Sequence, residues 1–120
     1  MKLTRRNLGT EFRIWVPCEA GTDAVDDLIN EMVAIAGGMT VTSGVGVWVK
    51  ADGEGMQEDV HVLSFITTDD LTMNTKIEEL AKTLLEEGQE AVLVSYDDHR
   101  FLLTPDIEEA NPHIKFSWRD

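Results

Sequence analysis

The stretch GGMTVTSGVGVWVK, residues 37–50, decides how the fold is interpreted, because its glycines and final lysine resemble a phosphate-binding loop. In such a loop the glycines follow a strand and open a helix, so that free backbone N–H groups point at the anion. Here Gly37 and Gly38 come after a helical pattern, and the segment runs into the β-forming residues VWVK. No Gly-Lys-Ser or Gly-Lys-Thr ending follows. The stretch is therefore predicted to be a β-strand.

Alternation along this strand sorts its side chains onto two faces. One face is apolar and carries Met39, Val41, Val45, Val47 and Val49. The other carries Thr40, Thr42, Gly44, Gly46, Trp48 and Lys50.

The segments before this strand predict one strand and one helix. EFRIWVPCE, residues 11–19, is rich in β-formers and ends near a proline, which favours a first strand. GTDAVDDLINEMVAIAGG, residues 21–38, has apolar residues at helical spacing. Thr22 or Asp23 is predicted to cap this helix, and Gly37 with Gly38 to end it.

The segments after it predict a hairpin, a second helix and two more strands. ADGEGMQED, residues 51–59, is predicted to be a hairpin loop with an Asp-Gly turn, followed by the strand VHVLSFIT at 60–67. In LTMNTKIEELAKTLLEEGQE, residues 71–90, Thr75 and Glu78 form a capping-box pattern at the start of a helix. AVLVSY is a fourth strand, and FLLT at 101–104 is a short antiparallel partner reached through the turn DDHR.

This order of elements predicts one α+β domain over residues 1–120, with its core at 11–104 and a C-terminal tail at 105–120. The order βαββαβ is that of the ferredoxin-like fold, an antiparallel sheet with two helices on one face. We expect a short C-terminal extension to follow it.

The sheet face without helices is predicted to carry large aromatic and aliphatic side chains. A face exposed to water in a monomer would be polar, so these side chains indicate an interface. We expect two alternatives for it: self-association of the chain through the sheets, or cover by the tail segment IKFSW at 114–118. The residues placed on this face are Arg13, Trp15, Trp48, Lys50, His61, Leu63, Phe65 and Tyr96.

A ligand site on the same face is the third alternative. Tryptophan rings stack on nucleobases, basic side chains bind phosphate, and threonine hydroxyls donate hydrogen bonds. Gly44 and Gly46 would let a ligand approach the backbone, and the alternative explanation is a bulge or bend that lets the long strand coil. The candidate ligand-binding residues are Arg13, Trp15, Thr40, Thr42, Trp48, Lys50 and His61.

The composition excludes several classes of function. The net charge of −13 disfavours direct binding of duplex nucleic acid, which needs clustered Lys and Arg. Solvation, adaptation to high salt, and mimicry of nucleic acid all remain possible reasons for the acidity. Cys18 is the single cysteine, which fits a reducing compartment, and no apolar run suggests a signal peptide or membrane span. A cytoplasmic protein is expected.

No catalytic constellation is visible in the sequence. There is no Gly-x-Ser-x-Gly motif, and His61, His99 and His113 lack metal-ligand spacing. The cluster DDHR at 97–100 is typical of a polar turn. We therefore expect a protein that is not an enzyme and that needs no cofactor or metal.

One block of the sequence resembles an uncharacterised group of short bacterial and phage proteins. The shared features are GG-x-T-x-x-x-G-x-G-x-W at 37–48, EDVHVL at 58–63 and GQEAVLV at 88–94, and the resemblance covers residues 11–96. It implies the same order of strands and helices and no established activity.

Three functions are predicted as alternatives. The first is a phage or bacterial protein that sequesters a small anionic nucleotide signal of a host defence system. The second is an acidic inhibitor that mimics nucleic acid and blocks a basic site on a host protein. The third is a structural or assembly protein.

Overall fold

The protein, seen here in a computed structural model that describes residues 1–50 and 52–105, is a five-stranded antiparallel sheet with two helices. The strands are β1 (Thr10–Pro17), β2 (Thr40–Val49), β3 (Gly55–Thr67), β4 (Val92–Tyr96) and β5 (His99–Leu103). The helices are α1 (Asp23–Ala36) and α2 (Asp70–Glu86).

The strand order β2-β3-β1-β4-β5 confirms the α+β class. Its first four strands follow the split βαβ arrangement, in which β3 lies between β2 and β1. The hairpin partner β5 adds a fifth strand outside β4, so the order is not that of a simple four-stranded ferredoxin-like sheet.

The two ends of α1 match the sequence prediction. The hydroxyl of Thr22 accepts the backbone N–H of Val25 at 3.3 Å, which makes Thr22 the N-cap. Gly37 ends the helix with a left-handed φ of 79°, and its N–H donates to the carbonyl of Val33 at 2.8 Å.

The predicted helical segment begins at Leu71, one residue after the observed start of α2, but the predicted capping box at Thr75 is wrong. The helix begins at Asp70, and Asp69 caps it by accepting the N–H of Thr72 at 3.4 Å. Thr75 therefore lies inside the helix, where its hydroxyl donates to the carbonyl of Leu71 at 3.0 Å. The earlier turn is stabilised because it brings Met73 into the core, fully buried.

The predicted hairpin loop is too long. Met56 pairs with Trp48 and Glu58 with Gly46, so most of the segment after Gly55 belongs to β3. The turn is confined to the residues around Gly53, which has φ of 87°, and the N–H of Lys50 donates to the carbonyl of Glu54 at 2.9 Å.

Both helices cover one face of the sheet, which we call the helix face; the opposite side is the open face. Between them lies one apolar core, to which β1, β3 and β4 contribute alternate side chains. The fully or almost fully buried members are Phe12, Ile14, Val25, Met32, Phe65, Met73, Ile77, Leu80, Ala81, Leu84, Val92 and Val94.

The assignment of Leu63, Phe65 and His61 to the open face is wrong. Leu63 pairs with Ile14 and Phe65 with Phe12, and directly opposed residues share a face of the sheet. These side chains therefore lie on the helix face, where Leu63 and Phe65 are buried in the core.

Tyr96 is also on the helix face rather than the open one. It pairs with Phe12, and the two rings meet edge to face with centroids 5.3 Å apart.

The predicted cover of the open face by IKFSW lies outside the described residues. In the part of the chain that is described, no helix is long and apolar enough to cross a membrane.

Candidate functional site

A row of polar side chains crosses the open face of the sheet. It takes one residue from each strand, because the successive Cα pairs are Thr40 with Ser64, Ser64 with Arg13, Arg13 with Ser95, and Ser95 with Arg100. We call these five residues the polar row. Residues opposed in this way have side chains on the same face.

An apolar and aromatic row lies beside the polar row. Trp15 pairs with Val62, and Val62 pairs with Thr42. Each of these residues is two positions along its strand from a member of the polar row, a distance of about 6.6 Å. Four predicted site residues, Arg13, Trp15, Thr40 and Thr42, thus lie on one part of the open face, with β3 between the two pairs.

Arg13 is held in place by a carboxylate on its own strand. Its Nη2 lies 2.7 Å from Oε1 of Glu11, and the hydroxyl of Ser64 donates to Oε2 of Glu11 at 2.6 Å. The hydrogen bond from Ser64, with further help from Arg13, holds the pKa of Glu11 below its ordinary value, against the opposing effect of partial burial. The network orients Arg13 and leaves part of its guanidinium exposed, since 36% of the side chain is accessible.

Ser95, which lies between Arg13 and Arg100 in the polar row, has an unusual environment. It is only 1% exposed, and its hydroxyl makes no hydrogen bond within the described chain. An unsatisfied buried hydroxyl costs about 1–3 kcal/mol, so such groups are rare and call for an explanation. Its neighbour Arg100 is exposed and makes no ion pair among residues 1–50 and 52–105.

Trp48 and Lys50 lie apart from this region. Trp48 pairs with Met56, which is six residues along β3 from Val62, the partner of Trp15, and this corresponds to about 20 Å. The two tryptophans therefore do not form a single stacking site. The exposed Lys50 lies beyond Trp48, at the hairpin turn.

The ring of Trp48 folds back over Gly46. A Cβ atom at Gly46 would stand 2.7 Å from Cζ3 of Trp48 and 3.6 Å from Cγ1 of Val60, so the glycine makes room for the indole. The glycines of β2 were predicted to allow a ligand or a bulge. At Gly46 the close approach is instead made by the protein's own tryptophan.

A shallow acidic hollow lies on the same side of the hairpin. It encloses about 320 Å³, and burial, followed by the charge of Glu19, raises the pKa of Glu58 in its wall. An anionic ligand would be repelled here. The lining residues are Pro17, Glu19, Met56, Gln57, Glu58 and Asp59.

His61 does not belong to the open face. It pairs with Val16 and Ser43, and its Nδ1 lies 3.1 Å from the Ser43 hydroxyl on the helix face. Within the described residues no group of three or more side chains is arranged to hold a metal ion.

Only Asp97 and Asp98 of the DDHR segment form a turn, because β5 begins at His99, two residues before the predicted strand FLLT. The turn also holds β4 against β1. Asp97 adopts a left-handed φ of 51°, its N–H donates to the carbonyl of Glu11 at 2.8 Å, and its Oδ1 accepts the N–H of Glu11 at 2.9 Å. The carboxylate of Asp97 therefore supports the fold of the turn.

Sequence reasoning missed four residues of this region: Glu11, Ser64, Ser95 and Arg100. The available signal was a polar residue interrupting an apolar strand, as Ser64 does in VHVLSFIT and Ser95 in AVLVSY. A polar side chain in such a position needs a hydrogen-bond partner, either within the sheet or outside it.

Comparison with known proteins finds solved structures with a similar fold. No family model matches the sequence, and no curated protein matches it. Two solved structures match: a phage SAM lyase in complex with S-methyl-5'-thioadenosine, with a TM-score of 0.59 and 20% identity, and a phage SAM lyase in the apo state, with 0.56 and 22%. The matches cover 86% and 88% of this chain and 96% and 98% of those chains.

Both similar structures are of an enzyme. At this level of identity the likeness shows a shared fold, and that fold is used for catalysis. The prediction that the chain is not an enzyme is therefore wrong. It rested on the absence of familiar sequence motifs, which detects only chemistry that uses a recognised nucleophile, base or metal.

Proposed function

We propose that this protein is an enzyme that cleaves S-adenosylmethionine, as a SAM lyase. The observation that carries the proposal is the extent of the shared fold, which includes 96% of the chain of the SAM lyase bound to S-methyl-5'-thioadenosine. The origin of the chain in a phage and a role against host defence are part of the same proposal, since both similar proteins are from phage.

The chemistry follows from comparing substrate with product. S-methyl-5'-thioadenosine is S-adenosylmethionine without its four-carbon amino-acid fragment. Cleavage breaks the bond between sulfur and the γ-carbon, and the electron pair of that bond neutralises the sulfonium. In a lyase reaction no water is added. In the same step, either the substrate's carboxylate oxygen displaces the sulfur from the γ-carbon and closes a lactone, or a base takes a β-proton and the C–H electron pair forms the double bond of an alkene.

The charge of the protein suits this substrate better than an anionic nucleotide. S-adenosylmethionine has a sulfonium, an ammonium and a carboxylate at neutral pH, so it carries one net positive charge. A chain with a net charge of −13 attracts such a cation over the range of the Debye length. The thioadenosine product is neutral and is not held by this attraction.

The open face supports the proposal with groups of the right type. Trp15, partly exposed there, offers a flat ring on which an adenine can stack, and the polar row beside it offers charged and hydroxyl groups. Of the predicted site residues, Arg13, Trp15, Thr40 and Thr42 belong to this proposed site.

The test is to incubate the purified protein with S-adenosylmethionine and follow the products by liquid chromatography and mass spectrometry. We expect S-methyl-5'-thioadenosine together with the lactone or the alkene at early times. The spontaneous breakdown of the substrate is measured with heat-denatured protein. Homoserine as the first product would indicate a hydrolase, and turnover no faster than the denatured control would reject the proposed enzyme.

We also propose that the chain forms a homo-oligomer, as the sequence predicts. The supporting observation is the apolar surface of the projecting hairpin, where Val45, Val47 and Val49 are 55%, 71% and 71% exposed and Trp48 is 40% exposed. The valines lie on the helix face beyond the cover of the helices, so the contact would involve both faces of the hairpin. Light scattering at micromolar concentration should show a dimer or larger species, and Val47→Lys should shift it toward the monomer. A monomeric parent protein would reject this proposal.

A further inference from the structure

We infer that Arg13, Ser95 and Arg100 bind the α-carboxylate of an amino-acid ligand, which is the amino-acid end of S-adenosylmethionine if the proposed function holds. The inference rests on that function for the identity of the ligand. The site itself rests on the polar row of the open face.

Ser95 is the observation that points to a ligand. Its buried hydroxyl lacks a partner in the described chain, and the strand register places it on the same face as the two arginines that flank it. A hydroxyl donates readily to a carboxylate oxygen, and charge-assisted hydrogen bonds of this kind are among the strongest. A bound carboxylate would therefore supply the missing partner.

The arginines provide the positive charge. One nitrogen of Arg13 contacts Glu11, which leaves the other donors of its five-donor fork for a second acceptor. Arg100 has no ion-pair partner within the described chain. The two arginines and Glu11 together carry one net positive charge, which matches a carboxylate better than a doubly charged phosphate.

The neighbouring groups account for the rest of an amino-acid nucleoside. Glu11 stands beside Arg13 as a carboxylate for the ligand's ammonium group, and its lowered pKa keeps it ionised. Trp15 is two residues along β1, about 6.6 Å from Arg13, where an adenosyl group can reach it. The polar row and Trp15 beside it thus offer a charged part and an aromatic part for the two ends of such a ligand.

The test compares two stable ligands that differ in the amino-acid end. S-adenosylhomocysteine has this end, and S-methyl-5'-thioadenosine lacks it. Isothermal titration calorimetry is run on the parent, Arg100→Ala, Arg100→Lys and Ser95→Ala, with Lys82→Ala as the matched control. Lys82 is an exposed cation on α2, so its loss changes the net charge equally without touching the open face. A melting curve for each variant verifies folding.

We expect Arg100→Ala to weaken the binding of S-adenosylhomocysteine by about tenfold or more. The affinity for S-methyl-5'-thioadenosine should change by no more than about twofold. Arg100→Lys should be intermediate because it keeps the charge and loses the fork. Ser95→Ala should show the same selectivity with a smaller loss, and Lys82→Ala should show none. In the enzymatic assay, the loss for Arg100→Ala should be found mainly in KM.

The outcomes separate the two proposals. If the parent cleaves S-adenosylmethionine but Arg100→Ala and Ser95→Ala bind S-adenosylhomocysteine like Lys82→Ala, the carboxylate site is wrong and the proposed function stands. If cleavage is absent but S-adenosylhomocysteine binds in an Arg100-dependent way, the site stands and the lyase proposal fails. If the parent binds neither ligand, the carboxylate site is rejected. Equal losses for both ligands in Arg100→Ala would reject it too.

Discussion

Replacing Ser95 with alanine should make the free protein more stable, which is the reverse of what most buried substitutions do. Its unsatisfied hydroxyl costs about 1–3 kcal/mol, and the loss of one oxygen atom leaves only a small void. We expect a gain of about 0.5–2 kcal/mol in the free energy of unfolding. In a chain of 120 residues this raises Tm by about 4 °C per kcal/mol.

The matched control is the same substitution at Ser64, on β3, which is separated from Ser95 by β1. Ser64 lies in the same polar row, and its hydroxyl donates to Glu11 at 2.6 Å. Ser64→Ala should therefore lower the free energy of unfolding by about 1 kcal/mol or more, since the bond is to a charged group. Urea denaturation monitored by tryptophan fluorescence measures both. If Ser95→Ala is as destabilising as Ser64→Ala, the Ser95 hydroxyl has a partner and the reasoning fails.

Three further predictions concern the sheet and the substrate. The pKa of Glu11 is lowered in the folded state, so the ionised carboxylate stabilises the protein above its ordinary pKa of 4.5, and this effect is lost as pH falls through the folded-state pKa. Glu11→Gln should therefore make the free energy of unfolding depend less on pH in that acid range. An unchanged slope would contradict this. Gly9→Ala should destabilise by about 1–3 kcal/mol in urea, because Gly9 has φ of 99° and a Cβ there would stand 2.2 Å from the carbonyl oxygen of Thr67; full stability would mean that the chain before β1 relaxes freely. The kcat/KM for S-adenosylmethionine should fall as ionic strength rises, while the affinity for neutral S-methyl-5'-thioadenosine stays constant, and parallel behaviour of the two would argue against steering by charge.

The alternation of side chains on each strand could be predicted from the sequence, but the pairing between strands could not. His61, Leu63 and Phe65 were correctly grouped on one side of β3. They were placed on the wrong face because a period of two does not say which side meets the helices. Only the register, with Phe12 opposite Phe65, decides it. The same limit hid the polar row, whose members are far apart in sequence and meet only across strands.

The ends of helices were predictable where the backbone conformation at the end strongly favours one residue type. Gly37 adopts the left-handed conformation that glycine favours, and it ends α1 as expected. Thr75 failed as a cap because Asp69, six residues earlier, caps α2 and allows one more turn to bury Met73. Local capping patterns compete with one another, and burial selects among them.

The acidity of the chain and the arginines of the open face are two parts of one electrostatic arrangement. The charge of −13 acts at long range and favours any cation over any anion, which suits a ligand with a sulfonium and an ammonium. At short range the ligand's carboxylate must still be bound, and the surrounding acidity would repel it unless cations stood at that point. Arg13 and Arg100 are adjacent to Ser95 in the only part of the described sheet where two arginines flank a buried hydroxyl. Under the two proposals, the long-range field would bring the ligand to the protein, and the polar row would determine which end of it faces Arg13.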